Sequence, residues 1–376
     1  MWKTVKLGEI CNVRRGTTIT KKNTVDGVVP VIGGGTKPTY FHNEANRDAG
    51  CITVSGSGAS AGFVNYWETP IFASDCSTVE IKTDEFLQRF VYYFMQSQQQ
   101  FIYENFRSGA AQPHVYAKDI ATLEIPVITP AEQQRIVAKL DAAFAEIDEA
   151  IQLAGAKERE IKHLQSALLS TSLNDSTVMW KTVKLGKLIE IARGGSPRPI
   201  KSYITEDDDG INWIKIGDTE EGGKHIYSTK EKIKRSGISR SRYVSAGDFL
   251  LSNSMSFGRP YILQIDGCIH DGWLVLSGYQ SHFTADYLYY LLSSSVVKNQ
   301  FETSARGSTV RNLNIELVSN VEVSYPPLAE QQRIVAKLDA AFAEIEAANN
   351  VIKQKLATYH SLKSAILAQE LQSEAA

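Results

Sequence analysis

The sequence predicts an α+β chain in which one plan occurs twice: a globular segment with mixed β-sheet, a long helix, a second globular segment and a second long helix. Three observations predict it. Ala131 to Ile147, AEQQRIVAKLDAAFAEI, recurs letter for letter at Ala329 to Ile345, 198 residues on, and identity of that length marks an internal repeat. Met1 to Gly8, MWKTVKLG, recurs at Met179 to Gly186, 178 residues on. Ahead of each copy of the long stretch, strand-like runs give way to a helix-like run, the order of an α+β domain. The boundaries that follow are 1–130 and 179–327 for the globular segments, with 131–172 and 328–372 for the helices.

Each copy of the repeated stretch opens a helix. Thr129-Pro130-Ala131-Glu132 reads as a capping box with proline at the first helical position, whereas Pro327-Leu328-Ala329-Glu330 lacks the threonine. Beyond the identical letters a heptad register continues. Leu140, Ile147, Ile161 and Leu168 form one row and Ile136 and Leu164 the complementary one. In the second helix Leu338, Ile345, Ile352, Tyr359 and Ile366 answer the first row, and Ile334 and Leu362 the second. Lys157 and Lys355 interrupt the rows at matching places. Sustained heptads predict coiled-coil packing, and two such helices in one chain pair with each other. About 40 residues at ~1.5 Å each make a rod of roughly 60 Å.

In the globular segments, strands are expected at Val28 to Ile32, Cys51 to Ser55, Gly62 to Trp67 and Ser77 to Ile81, then a helix from Glu85 to Phe101. The second segment repeats the order: strands at Ile211 to Ile216, Asp248 to Ser252, Pro260 to Ile265 and Gly272 to Leu276, then a helix around Ala285 to Val297. Residues 172–178 and Asp207 to Gly210 are turn-rich breaks.

The net charge of −2 gives no basic excess, so nucleic-acid binding would rest on local patches or on a partner. There is no membrane-length apolar run and no secretory signal, which predicts a soluble, cytoplasmic chain. Cys11, Cys51, Cys76 and Cys268 are scattered without a CxxC, which predicts reduced thiols and no zinc cluster. No GxxxxGK[ST], HExxH, or Asn- or Asp-Pro-Pro-Tyr is present, so no metal site and no catalytic residue is singled out. Gly56 to Ala61 fits GxGxxA, but the following GFVNYWETP reads as strand where a dinucleotide fingerprint needs a helix.

What remains are polar loops. Arg107, Ser108, Gln112 and His114 precede the first long helix, and Arg306, Ser308, Thr309 and Arg311 stand in step before the second. Arginine reads guanine bidentately, glutamine and asparagine read adenine, and hydroxyls hold phosphate. The alternative for each group is a polar turn that merely feeds its helix. Further candidates are Thr36, Lys37, Tyr40 and His42 after the Gly33–Gly35 run, Ser55 and Ser57, Lys215, and Ser252, Asn253, Ser254, Ser256 and Arg259. The basic run from Lys230 to Arg242 completes the set.

Several phrases, taken with the duplicated plan, resemble the specificity (S, HsdS) subunit of type I restriction-modification systems: WKTVKLGEI, VIGGGTKPTYFHNE, PIFASDC, GINWIKIGD, DFLLSNSMSFGRP, GSTVRNLN, and AEQQRIV before a heptad helix. The resemblance covers nearly the whole chain. It implies two target recognition domains, each reading one half of a bipartite double-stranded DNA target. It implies that the long helices are central and distal conserved regions, packed antiparallel about an internal pseudo-two-fold, serving as a ruler and as the docking surface for two modification (methyltransferase) subunits. Those subunits would bring S-adenosylmethionine, leaving this chain without a cofactor, and restriction subunits with ATP-dependent translocase and nuclease activity could join. The second loop reads Thr309-Val310-Arg311 where relatives often end in glutamine, which implies a different base preference. Two other readings stay open from the residues alone: a coiled-coil scaffold presenting two heads to proteins or glycans, and a nucleotide-using enzyme acting through the Gly56 loop.

Overall fold

A computed structural model describes residues 2–109, 111–173, 180–220, 222–253, 257–304 and 312–371. The chain forms two compact units, Met1–Ala156 with Ile352–Ala376, and Lys157–Val351. The long helices run Pro130–Ser172 and Leu328–Leu371. Each unit therefore holds the first part of one long helix and the last part of the other, a division that cuts across the four segments expected from the sequence.

In the first unit, Thr4–Lys6 pairs antiparallel with Glu124–Pro126, the strand that feeds the helix. A four-stranded antiparallel sheet orders Cys11–Arg15, Cys76–Ile81, Cys51–Ser55 and Val64–Trp67. A smaller mixed sheet sets Val29–Ile32 antiparallel to Tyr40–His42 and parallel to Phe72–Ala73. β-Branched residues at alternate positions fill the core, as in Ile52, Val54 and Val79. The expected helix Glu85 to Phe101 is two helices, Gln88–Ser97 and Gln99–Asn105, whose Phe90, Phe94 and Ile102 join that core. The break serves Gln99, whose side chain accepts from Val64 N–H (2.9 Å) and donates to Gly62 O (2.7 Å).

Ile136, Leu140, Phe144 and Ile147 of the first long helix pack on the same core, as do Leu367 and Leu371 of the second. Lys139 pairs with Glu370 at 2.6 Å and Lys363 with Asp148, so in this unit the two helical parts run antiparallel.

The second unit repeats the plan. Lys181–Lys184 pairs with Glu322–Tyr325. Glu190–Arg193, Trp273–Ser277, Phe249–Ser252 and Pro260–Leu263 stand in the order of the first unit's main sheet, with His225–Ile226 added in parallel at the edge. Ile211–Ile214 pairs parallel with Gly267–Ile269, as Val29–Ile32 does with Phe72–Ala73. Lys232–Ile233 takes the place of Tyr40–His42, and two further strands, Ile204–Thr205 and Arg242–Val244, extend the small sheet and take up part of the extra length. The helix expected around Ala285 is again two, Ala285–Ser293 and Ser295–Ser304.

Two seam assignments need correction. Leu164 and Leu362 are exposed, at 55% and 43%. Ile136, Leu140, Ile147, Ile334, Leu338, Ile345 and Ile352 are buried, while Ile161, Leu168, Tyr359 and Ile366 are half-buried. Towards its end each helix lies on a globular core: Leu168, Leu169 and Leu173 in the second unit, Tyr359, Ile366, Leu367 and Leu371 in the first. An α-helix drifts ~20° per heptad, and without a strict coiled-coil partner the buried face moves off the second row. Lys157 and Lys355 are both exposed, so the shared break leaves no buried charge.

All four cysteines are free and buried. Burial pushes the thiols of Cys11, Cys51 and Cys76 up to about 12, so almost no thiolate exists near pH 8. Alkylation by iodoacetamide at that pH should therefore be negligible in the folded chain and complete in denaturant; labelling of any of the three at the rate of a free thiol would contradict the packing described.

Candidate nucleic-acid interface

In the first unit the candidate loops meet at one edge of the main sheet. Strand Cys51–Ser55 ends there, strand Cys11–Arg15 ends beside it, and strand Cys76–Ile81 begins opposite, since Ser55 pairs with Cys76 and Arg15 with Ser77. Ser57 and Ser108 both bridge to His114. Gly58 N–H donates to Pro113 O (2.9 Å), and Val115 N–H to Gly56 O (3.0 Å). The Gly33–Lys37 loop joins them, because Ser55 Oγ donates to Gly35 O at 3.0 Å. A Cβ on Gly34 would lie 2.6 Å from Ser57 O, so only glycine permits this approach.

Within that cluster the side chains divide. Thr36, Lys37, Ser108 and Gln112 are exposed and His114 is half-buried, stacked on Tyr116 at 13° between planes. Ser57 donates its hydroxyl to the Asp75 carboxylate. A cleft of about 290 Å³ is lined by Arg15, Gly56, Asp75, His114, Tyr116 and Lys118. Four candidates hold the fold from within. Arg107 donates Nε to Ala61 O (2.7 Å) and lies 3.8 Å over the Tyr103 ring. His42 is 8% exposed, accepting from Val25 N–H at Nδ1 with Phe72 edge-on to its ring. Ser55 is buried, and Tyr40 donates its hydroxyl to Ile19 O. As placed, these four steady loops and offer little to a base edge.

The second unit builds the equivalent edge with other residues. Ser252 and Asn253 are buried: Ser252 Oγ accepts from Arg259 N–H (3.0 Å), and Asn253 Nδ2 donates to Asp271 O (2.8 Å). Leu313 N–H donates to Asn253 O at 2.8 Å, the counterpart of the Val115–Gly56 bond, so the stretch before the second helix enters at the matching place. Arg259 is exposed, and Lys215 Nζ is engaged by Glu231 at 2.6 Å. Ser254, Ser256, Arg306, Ser308, Thr309 and Arg311 lie outside the described residues. The basic run faces the acidic turn, with Arg235 Nε 3.3 Å from Asp209 and Lys232 Nζ 3.3 Å from Asp208 O. Among the described residues no cluster suited to a metal ion is found.

An aspartate at this edge was not foreseen. Asp271 stands near the place of Asp75 but one residue earlier, two before Trp273 where Asp75 is one before the matching Cys76. Its carboxylate accepts from Ser196 Oγ at 2.8 Å and lies 3.5 Å from Arg198. The Ser196 hydroxyl, with the Arg198 guanidinium, holds its pKa below the usual carboxylate value, while burial lowers that of the adjacent His270. The offset and the unlike flanking letters, Ser-Asp-Cys and His-Asp-Gly, hid the likeness.

The residues fastening each head to its long helix were also missed. Gln133, fully buried, donates to Glu85 O (2.9 Å) and Ile128 O (3.0 Å) and accepts from Leu87 N–H (2.8 Å). Gln331 donates to His282 O (2.7 Å) and Pro326 O (3.0 Å) and accepts from Thr284 N–H (3.0 Å). Tyr93 donates to Asp141 and Tyr290 to Asp339 in the same way.

The family model for the type I restriction modification DNA specificity domain matches residues 1–157 and again 177–357. The chain belongs to that family. As a specificity subunit it is similar to the EcoDI specificity subunit of Escherichia coli, 20% identical over 99% of this chain and 88% of the relative. The EcoBI specificity subunit of the same species is 23% identical over 79% and 67%. A chain solved in work on complex assembly and conformational transition of the type I R-M system superposes with a TM-score of 0.76 at 20% identity, covering 99% of this chain and 98% of that one. The specificity family accounts for both heads and the helices. The nucleotide-enzyme reading finds no footing, because Gly56–Ala61 passes by a turn into strand Val64–Trp67 and offers no helix N-terminus to a pyrophosphate. No helix among the described residues is long and apolar enough to cross a membrane.

Proposed function

We propose that this specificity chain is the non-catalytic DNA reader of a type I modification and restriction complex, each globular head reading one half of a bipartite double-stranded target. The observation that carries this reading is the contrast between the two heads. Their fasteners match residue for residue, Gln133 with Gln331 and Asp141 with Asp339, while their edge loops differ. A scaffold with two equivalent ligands would have no reason to keep the frame and vary only the reading edge. The helices set the distance between half-sites and dock two modification subunits, which supply S-adenosylmethionine and the transfer chemistry; restriction subunits complete a nuclease. A net charge of −2 suits a reader whose partners provide much of the phosphate contact that dominates affinity.

Exchanging residues 9–128 for the corresponding head of another specificity chain, then sequencing methylated motifs in the host genome, tests the reading. One half of the motif should change, with the other half and the gap retained. A change in both halves would show that the heads do not read independently, and loss of sequence preference would remove the DNA-reading role.

A further inference from the structure

The two heads share one cationic element that their divergent loops conceal. Arg15-Gly16 and Arg193-Gly194 stand 178 residues apart, the offset of the MWKTVKLG repeat, and each closes the strand that pairs with the Asp-led strand. The glycines press the backbone against the crossing chain. A Cβ on Gly16 would lie 2.3 Å from Ser74 O, and one on Gly194 2.1 Å from His270 O. Their N–H groups donate to Cys76 O (2.8 Å) and Trp273 O (2.9 Å). The preceding arginine is thereby fixed at the reading edge in both units. Arg15 is 73% exposed, with Asp75 at 4.0 Å, and Arg193 is exposed, with Nε donating to Asp271 O at 3.1 Å.

We propose that Arg15 and Arg193 each grip a DNA backbone phosphate at equivalent places in the two half-sites, setting the register in which the divergent loops read bases. The proposal rests on the DNA-reading function above. Phosphate, not a base, is the occupant because the same residue recurs where the readout around it differs; a contact common to two different sequences carries no sequence information. Stability does not explain the pairing, since exposed ion pairs contribute little. Nearby arginines are engaged elsewhere: Arg14 with Glu80 at 2.7 Å, and Arg107 on the carbonyl of Ala61. Arg15 borders the 290 Å³ cleft with Lys118, so the two cations outnumber Asp75 there.

The test uses the full chain in its assembled complex, with duplexes bearing the host's methylated motif and single-base variants of it, between about 50 and 200 mM salt. Arg15→Ala and Arg193→Ala should each weaken all duplexes by the same factor, roughly tenfold at ~0.1 M salt, and each reduce the salt slope by about 0.9. The motif should not change. Arg15→Lys and Arg193→Lys should restore affinity and slope, because a point charge suffices for phosphate but not for bidentate base contact. These lysine variants carry the test if an alanine variant melts early. Relaxed preference at one base pair without rescue by lysine would overturn the proposal in favour of base reading. Weakened binding with an unchanged slope, or no weakening, would overturn it as well. A wild-type complex that shows no sequence preference at all would instead remove the DNA-reading function.

Discussion

Replacing Gln133 with alanine will destabilise the first unit by about 3 kcal/mol, because one Leu87 N–H and the carbonyls of Glu85 and Ile128 lose the fully buried side chain that bonds them. Each stranded group costs about 1–3 kcal/mol, and the void left by the side chain adds to it. Against a domain stability of about 5–15 kcal/mol the loss is large, and the unit's melting temperature should fall by roughly 10 °C. Gln134 supplies the control. It is the same amino acid, one position on, and exposed, so Gln134→Ala should stay within about 0.5 kcal/mol. Gln331→Ala should act on the second unit as Gln133→Ala does on the first. Thermal unfolding followed by circular dichroism measures all three. Equal melting of the Gln133 and Gln134 variants would mean that the fork of bonds does not fasten head to helix.

That pair also shows how much of the molecule the letters disclose. Gln133 lies three residues before Ile136 and seven before Leu140, both buried, so helical periodicity alone places it on the packed face. The strands were legible for a similar reason: runs of β-branched residues such as Cys51 to Ser55 stop at glycine. The split at Gln98 was not, because what breaks the helix is Gln99 reaching the backbone of Gly62 and Val64 far along the chain. The candidate interface failed in the same manner. Arg107, His42 and Asn253 have side chains that suit DNA, yet each is taken up by partners distant in sequence. Residue type announces what a side chain can bond; only the fold decides what it has already bonded. Asp75 and Asp271 are the converse case: each takes a serine hydroxyl at its edge, but one residue out of step and from a different loop, with no shared neighbouring letters.

Lengthening both long helices by one heptad, after Ala154 and after Ile352 198 residues on, should widen the gap between half-sites and leave both half-sites as they were. Both sites lie in continuous helix, and Lys139–Glu370 and Lys363–Asp148 show the two helical parts of the first unit bonded side by side, so lengthening one helix alone would leave its partner short beyond those pairs. Seven residues add ~10.5 Å of helix and turn it only ~20° short of two full turns, which keeps the packed faces nearly aligned. By length alone that is about three base pairs at ~3.4 Å each. The duplex also turns, at ~34° per base pair for ~10.5 base pairs per turn, and three steps would carry the second half-site roughly 100° around the axis. The widened gap should therefore settle between one and three base pairs, with weaker binding at the upper end. Inserting three or four residues instead turns the helix without completing the heptad and should cost more affinity per ångström gained. Sequencing of methylated motifs made by the variants reads the gap directly. An unchanged gap in a stable, methylating complex would mean that something other than helix length spaces the half-sites.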